Sequence, residues 1–200
     1  MATATLTPAP APAPRPLKRF TVEEYHRLID LGFVTKYDRV ELIRGLIVER
    51  PVMKPPHVIA LTQLTILFYK LVGFERAIRS QAPITLADSE PQPGLVIAQG
   101  LLVDYVKGHP NPAQIQLVIE IADSTVRDDQ TSQLELYAES MVSEYWIVNI
   151  PELRIEVYTQ PVRKSASYRM RKDYAIEDSV PVRLGGTDLG SLPVRDIFPR

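Results

Sequence analysis

One acidic residue stands inside an apolar stretch of the sequence. The segment Gln116–Ile121 is almost continuously apolar, which predicts a strand buried on both faces, and Glu120 lies near its carboxyl end. An ionised carboxylate is costly in such a strand unless it is paired or binds a metal. Glu120 is therefore a candidate metal ligand. A strand-end carboxylate that reaches solvent or pairs with an arginine is the alternative.

The residues that follow predict the element that positions Glu120. Apolar residues at helical spacing in Thr131–Met141 predict a helix, and Tyr145–Val148 predicts a second strand. Strand, helix and strand in this order form a βαβ unit, so the two strands should be parallel neighbours. Sites in such sheets collect at the carboxyl ends of strands. We therefore predict an α/β fold with a mixed sheet and a central βαβ unit.

Acidic residues are concentrated around this predicted helix. They are Glu120, Asp123, Asp128, Asp129, Glu135, Glu139 and Glu144. If Glu120 and one or two of the others converge, they form an oxygen-rich site for Mg²⁺. The alternative is a solvated helix face, with Asp128 or Asp129 capping the helix.

Two short elements near the start of the chain contain a further acidic residue. Thr21–Glu24 has the spacing of a capping box and predicts a helix that ends near Gly32. Apolar segments at Val40–Ile43 and Leu46–Glu49 flank a short turn and predict a β-hairpin. Glu41 lies in its first arm, and this pattern alone predicts an exposed strand residue.

Helical spacing resumes between His57 and Gly73, which predicts a long helix. A capping or surface role is favoured for His57, because it stands at the start of that helix. Arg154–Tyr158 and Tyr168–Tyr174 predict antiparallel edge strands, and Leu192–Phe198 predicts a short helix. The basic residues of this region predict a charged edge that discourages aggregation, in preference to a DNA track. They are Arg163, Lys164, Arg169, Arg171 and Lys172.

Length and composition limit the class of protein. Residues 1–16 alternate Ala and Pro and predict a disordered tail, which leaves 17–200 for a single domain. The net charge of -1 argues against an electrostatic, non-specific nucleic-acid binder. The absence of cysteine excludes Cys-type zinc sites, and no apolar run is long enough to span a membrane. We expect a cytoplasmic protein without a membrane partner.

Several motifs resemble those of one protein family, and they occur in the same order. From about Phe20 to Phe198 the chain resembles the Uma-two family of restriction-endonuclease-like proteins, within the PD-(D/E)XK nuclease superfamily. The motifs are Thr21–Tyr25, Glu41–Gly45, His57, Ser89–Pro93, His109–Pro110, Val118–Asp123 and Glu144–Val148. The resemblance implies a restriction-endonuclease-like mixed sheet flanked by helices and a metal-dependent site that cleaves DNA.

The resemblance also implies which residues form that site. Two carboxylates would hold Mg²⁺, and a lysine would orient water or stabilise developing charge. Glu120 matches the strand glutamate of the family, and Glu41 and His57 match positions near the site. Gly94 stands where the family has aspartate, and Gln133 stands where it has lysine.

These two replacements predict an endonuclease with a degenerate catalytic centre and weakened or lost Mg²⁺ binding. Each loss should reduce the rate by about 10²–10⁴. Glu90, Asp88 and Asp104 are the candidates to replace the missing aspartate. Two alternatives remain open. One is a catalytically inactive nuclease-fold module that binds nucleic acid or protein, and the other is a homodimer whose interface uses apolar surface.

Overall fold

The computed structural model of the chain describes residues 16–198. The predicted tail of residues 1–16 therefore lies outside the described residues, apart from Pro16. Within the described part of the chain, no helix has the length and apolar character needed to cross a membrane.

Three helical regions are present in residues 16–198. The first two are Val22–Asp30 (α1) and Pro55–Val72 (α2). The third consists of Val126–Asp128 (α3), a π-helical turn at Asp129–Gln133, and Leu134–Glu139 (α4). Short 3₁₀ turns also occur, at Leu102–Tyr105, Arg163–Ser165 and Val194–Asp196.

Ten strands form three sheets within the same residues. They are Val40–Ile43 (β1), Leu46–Glu49 (β2), Ala77–Ser80 (β3), Leu95–Ala98 (β4), Ile115–Ala122 (β5), Glu144–Asn149 (β6), Arg154–Val162 (β7), Ser167–Ala175 (β8), Ser179–Leu184 (β9) and Thr187–Pro193 (β10). The main sheet has the order β3-β4-β5-β6-β7-β8, and β1–β2 and β9–β10 form separate hairpins.

The main sheet is mixed, as predicted. Strands β5 and β6 are parallel, with Glu120 opposite Ile147, and every other neighbouring pair in this sheet is antiparallel. A parallel pair needs a long crossover, which the helical region between β5 and β6 provides. The predicted βαβ unit and the mixed α/β fold class are therefore confirmed.

Both faces of the sheet are covered by apolar packing. On one face Trp146 packs against Phe68 of α2, with ring centroids 6.0 Å apart. On the other face Tyr145 packs against Tyr137 of α4 at 5.0 Å. Because side chains alternate along a strand, Glu120 shares the α4 face with Val118. Its neighbours are therefore the residues of the crossover helices.

The local predictions for the first half of the chain agree with the structure. The capping box of Thr21 and Glu24 begins α1, and Gly32 follows α1 with a φ of 76°. The predicted hairpin is present as β1 and β2. Helix α2 begins at Pro55, two residues before His57, and Gly73 ends it with a φ of 62°.

Three predictions for the second half are corrected. The crossover helix begins at Val126 instead of Thr131, because a π-helical turn interrupts the regular period of apolar residues. Asp128 and Asp129 lie inside this helical region and are not its N-cap, which is Thr125. The predicted helix at Leu192–Phe198 is mostly the end of β10 and one 3₁₀ turn.

Candidate functional site

A cavity of about 620 Å³ lies at the carboxyl end of β5. Its walls come from the β1–β2 hairpin, the segment before α2, the residues before β4 and the π-helical turn. All five candidate residues named from the sequence line it: Glu41, His57, Gly94, Glu120 and Gln133. The fold thus brings together residues that are up to 92 positions apart in the chain, from 41 to 133.

Glu120 lies at the wall of the cavity, and both of its carboxylate oxygens are hydrogen bonded. The Tyr137 hydroxyl donates to Oε1 at 2.7 Å, and the Gly94 backbone N–H donates to Oε2 at 3.0 Å. Burial, followed by repulsion from Asp129, raises the pKa of Glu120 well above its ordinary range despite these two bonds. The site therefore favours the protonated form of Glu120 unless a cation offsets the loss of water and the charge of Asp129.

Asp129 is the second buried carboxylate of the cavity. It begins the π-helical turn, and its Oδ2 accepts a 2.7 Å hydrogen bond from the Thr125 hydroxyl. Burial raises the pKa of Asp129 to about 7, and the neighbouring charges of Asp128, Glu41 and Glu156 add to the increase. Single π-helical turns within helices are frequent at functional sites.

Glu41 is buried, which corrects the prediction of an exposed strand residue. The hairpin turns its carboxylate into the cavity, where Oε2 accepts a 2.9 Å hydrogen bond from the Gln92 backbone N–H. Burial raises the pKa of Glu41, although this hydrogen bond and the positive charge of Arg50 both act against the increase. Glu41 is therefore a third desolvated carboxylate at one cavity.

His57 is half-buried at the cavity wall, so it is neither the cap of α2 nor a surface residue. Lys54 occupies the N-cap position instead. Burial lowers the pKa of His57, against the opposing effects of Asp123 and the Ile121 backbone. Its Nε2 atom is buried and has no hydrogen-bond partner among residues 16–198.

Gly94 and Gln133 occupy the two positions where the resemblance implies charged residues. Gly94 is buried beside β5, and a Cβ atom there would lie 3.1 Å from the Ile119 carbonyl oxygen and 3.1 Å from Cγ1 of Ile121. Gln133 ends the π-helical turn. Its Oε1 atom is buried without a hydrogen-bond partner among the described residues. Neither position supplies charge to the cavity.

The acidic side chains of the cavity determine how it could bind a metal ion. Within residues 16–198, no group of three or more His, Cys, Asp or Glu side chains is arranged to hold a metal ion. Mg²⁺ is commonly bound through one or two carboxylates, with water in its remaining positions. Glu120 and Glu41 both line the cavity and supply carboxylate oxygens, the ligand type that Mg²⁺ prefers, but residues 16–198 do not supply a complete set of protein ligands.

Of the acidic residues predicted to converge, Asp123, Asp128 and Asp129 line the cavity with Glu120, whereas Glu135, Glu139 and Glu144 do not. Glu139 pairs with Arg44 at 2.6 Å, and Glu144 accepts a 2.6 Å hydrogen bond from the Trp146 indole. Glu90 pairs with His26 at 2.7 Å. None of Glu90, Asp88 or Asp104 lines the cavity, so the structure brings no substitute for the missing aspartate from these positions.

Of the basic residues near the end of the chain, Arg163 and Lys164 lie in the 3₁₀ turn before β8, and the other three lie on β8, an edge strand of the main sheet. Arg171 pairs with Asp173 at 2.7 Å and with the buried Glu156 at 3.2 Å. Arg163 donates to the Glu139 carbonyl oxygen at 3.0 Å. Two of the five cations therefore have partners within the protein, and the role of the charged edge stays a prediction.

Sequence reasoning missed one residue that contacts Glu120 and one that lines the cavity. Tyr137 was predicted as an apolar helix residue, but its hydroxyl positions Glu120. Arg50 lines the cavity from the end of β2, and no motif marked it. The one signal available for Tyr137 was its polar hydroxyl at a buried helical position, because such groups normally find a partner.

A solved structure shares the overall fold. It is a crystal structure of "a putative nuclease belonging to DUF820" from Anabaena variabilis ATCC 29413, with a TM-score of 0.65 and 15% sequence identity. The similarity covers 90% of this chain and 97% of that chain. At this identity the likeness shows the fold alone. No curated protein sequence matches the chain.

The sequence also matches a family model, Uma2, whose description is "Putative restriction endonuclease". The match spans residues 22–187, which include α1 to β9 and all five candidate residues of the cavity. Because the match covers most of its length, the chain belongs to the Uma2 family.

Proposed function

We propose that this chain is a nuclease of the restriction-endonuclease type, which hydrolyses phosphodiester bonds in DNA with the help of Mg²⁺. The description of its family and the name of the similar crystal structure support this class of reaction. The observation that carries the proposal is the convergence of Glu41, Glu120 and Asp129 at one cavity, where burial, together with repulsion from neighbouring carboxylates, raises the pKa of each. Clustered groups with perturbed pKa values are typical of functional sites.

We infer that residues 17–200 act as one domain in this function. The β1–β2 hairpin, the start of α2, β5 and the π-helical turn all contribute residues to the same cavity. If one of these elements were removed, the cavity would lose a wall.

Glu120 and Glu41 are the residues that would hold the cation. Each carboxylate accepts one or two hydrogen bonds, which leaves lone pairs for a cation that keeps most of its water ligands. When bound, Mg²⁺ would polarise the phosphate and lower the pKa of a coordinated water.

The remaining roles fall to uncharged groups of the chain. Tyr137 and the Gly94 backbone fix the orientation of Glu120. Because burial lowers the pKa of His57, its imidazole is neutral at pH 7, and its unpartnered Nε2 is available to a substrate or a water. Gln133 has a free acceptor, Oε1, with which to orient a water molecule.

We further propose that the centre is degenerate. Gly94 offers no side-chain ligand, and Gln133 cannot stabilise negative charge as a lysine would. Each replacement should lower the rate by about 10²–10⁴, and the two losses need not add. The activity expected is therefore slow and dependent on high metal concentration.

A second candidate function is a catalytically inactive nuclease-fold module that binds nucleic acid or protein. The observation that favours it is the missing third ligand, since no group of three metal-ligating side chains occurs in residues 16–198. Such a module would keep the cavity but would show no metal-dependent chemistry.

The two functions are separated by a cleavage assay with plasmid and single-stranded DNA. The protein is incubated with Mg²⁺ or Mn²⁺, with and without EDTA, beside the variants Glu120→Gln and Glu135→Gln. Glu135 is exposed on α4 outside the cavity, so its variant is a matched control for loss of one carboxylate. A nuclease predicts slow cleavage that EDTA and Glu120→Gln abolish and Glu135→Gln preserves. Cleavage that survives in Glu120→Gln, or no cleavage in any protein, would overturn the nuclease proposal.

A further inference from the structure

Arg50 is a cation at the wall of the carboxylate cavity. It follows β2 directly, and its backbone N–H donates to the Arg39 carbonyl oxygen at 2.7 Å, which extends the hairpin by one pair. The hairpin thus holds the Arg50 backbone in place, and its side chain contributes to the lining of the cavity. The residue is half-buried, so its charge acts in a medium less polar than water.

The guanidinium of Arg50 has a hydrogen-bond donor without a partner among residues 16–198. This donor is the buried Nε atom. The group lies close enough to Glu41 for its charge to oppose the rise in the pKa of that carboxyl. Buried donors are normally hydrogen bonded, and an unpartnered one points to a ligand or a water at that position.

The other two cations of the cavity are exposed and differ from Arg50 in their contacts. Arg39 donates from Nη2 to the Pro51 carbonyl oxygen at 2.7 Å. Lys54 lies 3.9 Å from the Asp123 carboxylate. Arg50 is therefore the half-buried member of the three, and it is the one with an unpartnered buried donor.

We propose that Arg50 binds a phosphate group of the substrate in this cavity and supplies the positive charge that Gln133 does not. A guanidinium has five N–H donors in a planar fork that matches two phosphate oxygens, so one arginine can both hold and orient the group. The proposed nuclease function makes the ligand class a nucleotide phosphate, and the cavity of about 620 Å³ is large enough for a small molecule of this kind. This inference rests on the proposed nuclease function and deepens it.

The acidic residues of the cavity set a condition for this binding. Glu41, Glu120 and Asp129 would repel a phosphate unless a divalent cation is also present. We therefore expect the phosphate to bind together with a divalent cation, in a position between that cation and Arg50. Binding of the phosphate alone should be weak.

The test uses thymidine 3′,5′-bisphosphate as the probe, titrated into the full chain in the presence of Ca²⁺ at fixed ionic strength. The proteins compared are wild type, Arg50→Gln, Arg50→Lys and Arg39→Gln. Arg39→Gln is the matched control, because it removes the same charge from the same cavity but from an exposed side chain. Circular dichroism confirms that each variant is folded.

We expect Arg50→Gln to weaken binding about tenfold or more, which corresponds to about 1.4 kcal/mol. Arg50→Lys should retain part of the affinity, because it keeps the charge but loses the fork. Arg39→Gln should change the affinity less than about twofold, as expected for an exposed charge. Equal effects of Arg50→Gln and Arg39→Gln, or unchanged binding in Arg50→Gln, would overturn the assignment of Arg50.

Titration of Mn²⁺ into wild type and Glu120→Ala shows whether a negative result concerns only the assignment of Arg50 or also the nuclease proposal. If Mn²⁺ binding depends on Glu120 but the affinity for the probe does not depend on Arg50, only the assignment of Arg50 is wrong. If neither Mn²⁺ nor the probe binds to the wild type, both proposals are wrong.

Discussion

The backbone N–H of Gly94 donates a 3.0 Å hydrogen bond to Oε2 of Glu120. These residues come from the starts and ends of neighbouring strands, because β4 begins one residue after Gly94 and β5 ends two residues after Glu120. The position where the family resemblance implies aspartate is therefore directly beside the glutamate that this chain retains. A side chain introduced at position 94 would therefore lie next to the Glu120 carboxylate.

Restoring the two charged positions should increase the proposed activity. We expect Gly94→Asp together with Gln133→Lys to raise Mg²⁺-dependent DNA cleavage by about 10²-fold or more, the usual scale for one recovered electrostatic group. The aspartate requires a shift of a few tenths of an ångström in β5, since its Cβ would approach Ile119 and Ile121 at 3.1 Å. Initial cleavage rates on plasmid DNA measure the change.

Gly94→Ala with Gln133→Lys is the control for this steric effect, because it adds the Cβ without the carboxylate. If the double variant with aspartate is folded but cleaves no faster than this control, the match of Gly94 to the expected aspartate is wrong.

Asp129 should make the free energy of unfolding depend on pH. Its pKa rises from the ordinary value of 3.8 to about 7 in the folded chain. The folded state therefore holds the proton more tightly, so this contribution favours folding at low pH and is lost as the pH rises from about 4 to about 7. We expect Asp129→Asn to stabilise the protein by about 1–3 kcal/mol at pH 8 and by little at pH 4.

Urea denaturation at several pH values measures this difference. Asparagine can still accept the hydrogen bond from Thr125, so the variant isolates the loss of charge. Asp128→Asn is the comparison, because Asp128 is exposed and adjacent. A stabilisation by Asp129→Asn that is the same at pH 4 and pH 8 would rule out titration of Asp129 as its cause.

Glu156 of β7 should stabilise the π-helical turn through its contact with Gln130. It is fully buried on β7, and both of its oxygens accept hydrogen bonds from the Gln130 amide, at 2.8 and 2.9 Å. Burial raises the pKa of Glu156, but hydrogen bonds from Asn149, Tyr158 and Gln130 outweigh it and leave the pKa below its ordinary value. The carboxylate is therefore charged and well satisfied at neutral pH.

We expect Glu156→Gln to reduce the free energy of unfolding by about 2–4 kcal/mol, because Arg154 and Arg171, which lie 3.3 and 3.2 Å from the carboxylate, lose their charged partner. Gln130→Ala should cost about 1–2 kcal/mol. If the contact joins β7 to the turn, the double variant should lose less than the sum of the two changes. Additive losses in urea denaturation would mean that the two residues act independently.

Local patterns were sufficient to predict the frame of the site. The capping box of α1, the β1–β2 hairpin and the β5–β6 pair each have a signal within a few residues, so the sequence predicts them. The β9–β10 hairpin was missed, although Val180, Val182 and Leu184 alternate before Gly185-Gly186, a pattern typical of hairpins.

The interior of the site could be predicted only in part. Glu120 was identifiable because a charge in an apolar strand is costly. The burial of Glu41 and the half-burial of His57 depend on how the hairpin and α2 pack over the end of β5, and no local pattern encodes that arrangement. The roles of Asp129 and Arg50 likewise arise from convergence in three dimensions, since their sequence neighbours suggest only a helix cap and a strand end.

Isothermal titration of Mg²⁺ and Mn²⁺ into the purified protein, beside Glu120→Ala and Glu135→Ala, is the most direct measurement of the site. We predict weak binding to the wild type and to Glu135→Ala that disappears in Glu120→Ala, because Glu120 is a proposed ligand of the cation and Glu135 lies outside the cavity. The affinity should increase from pH 6 to pH 8, since the raised pKa values of Glu120 and Asp129 make protons compete with the cation. Equal binding in all three proteins, or no binding in any of them, would contradict a metal centre at Glu120.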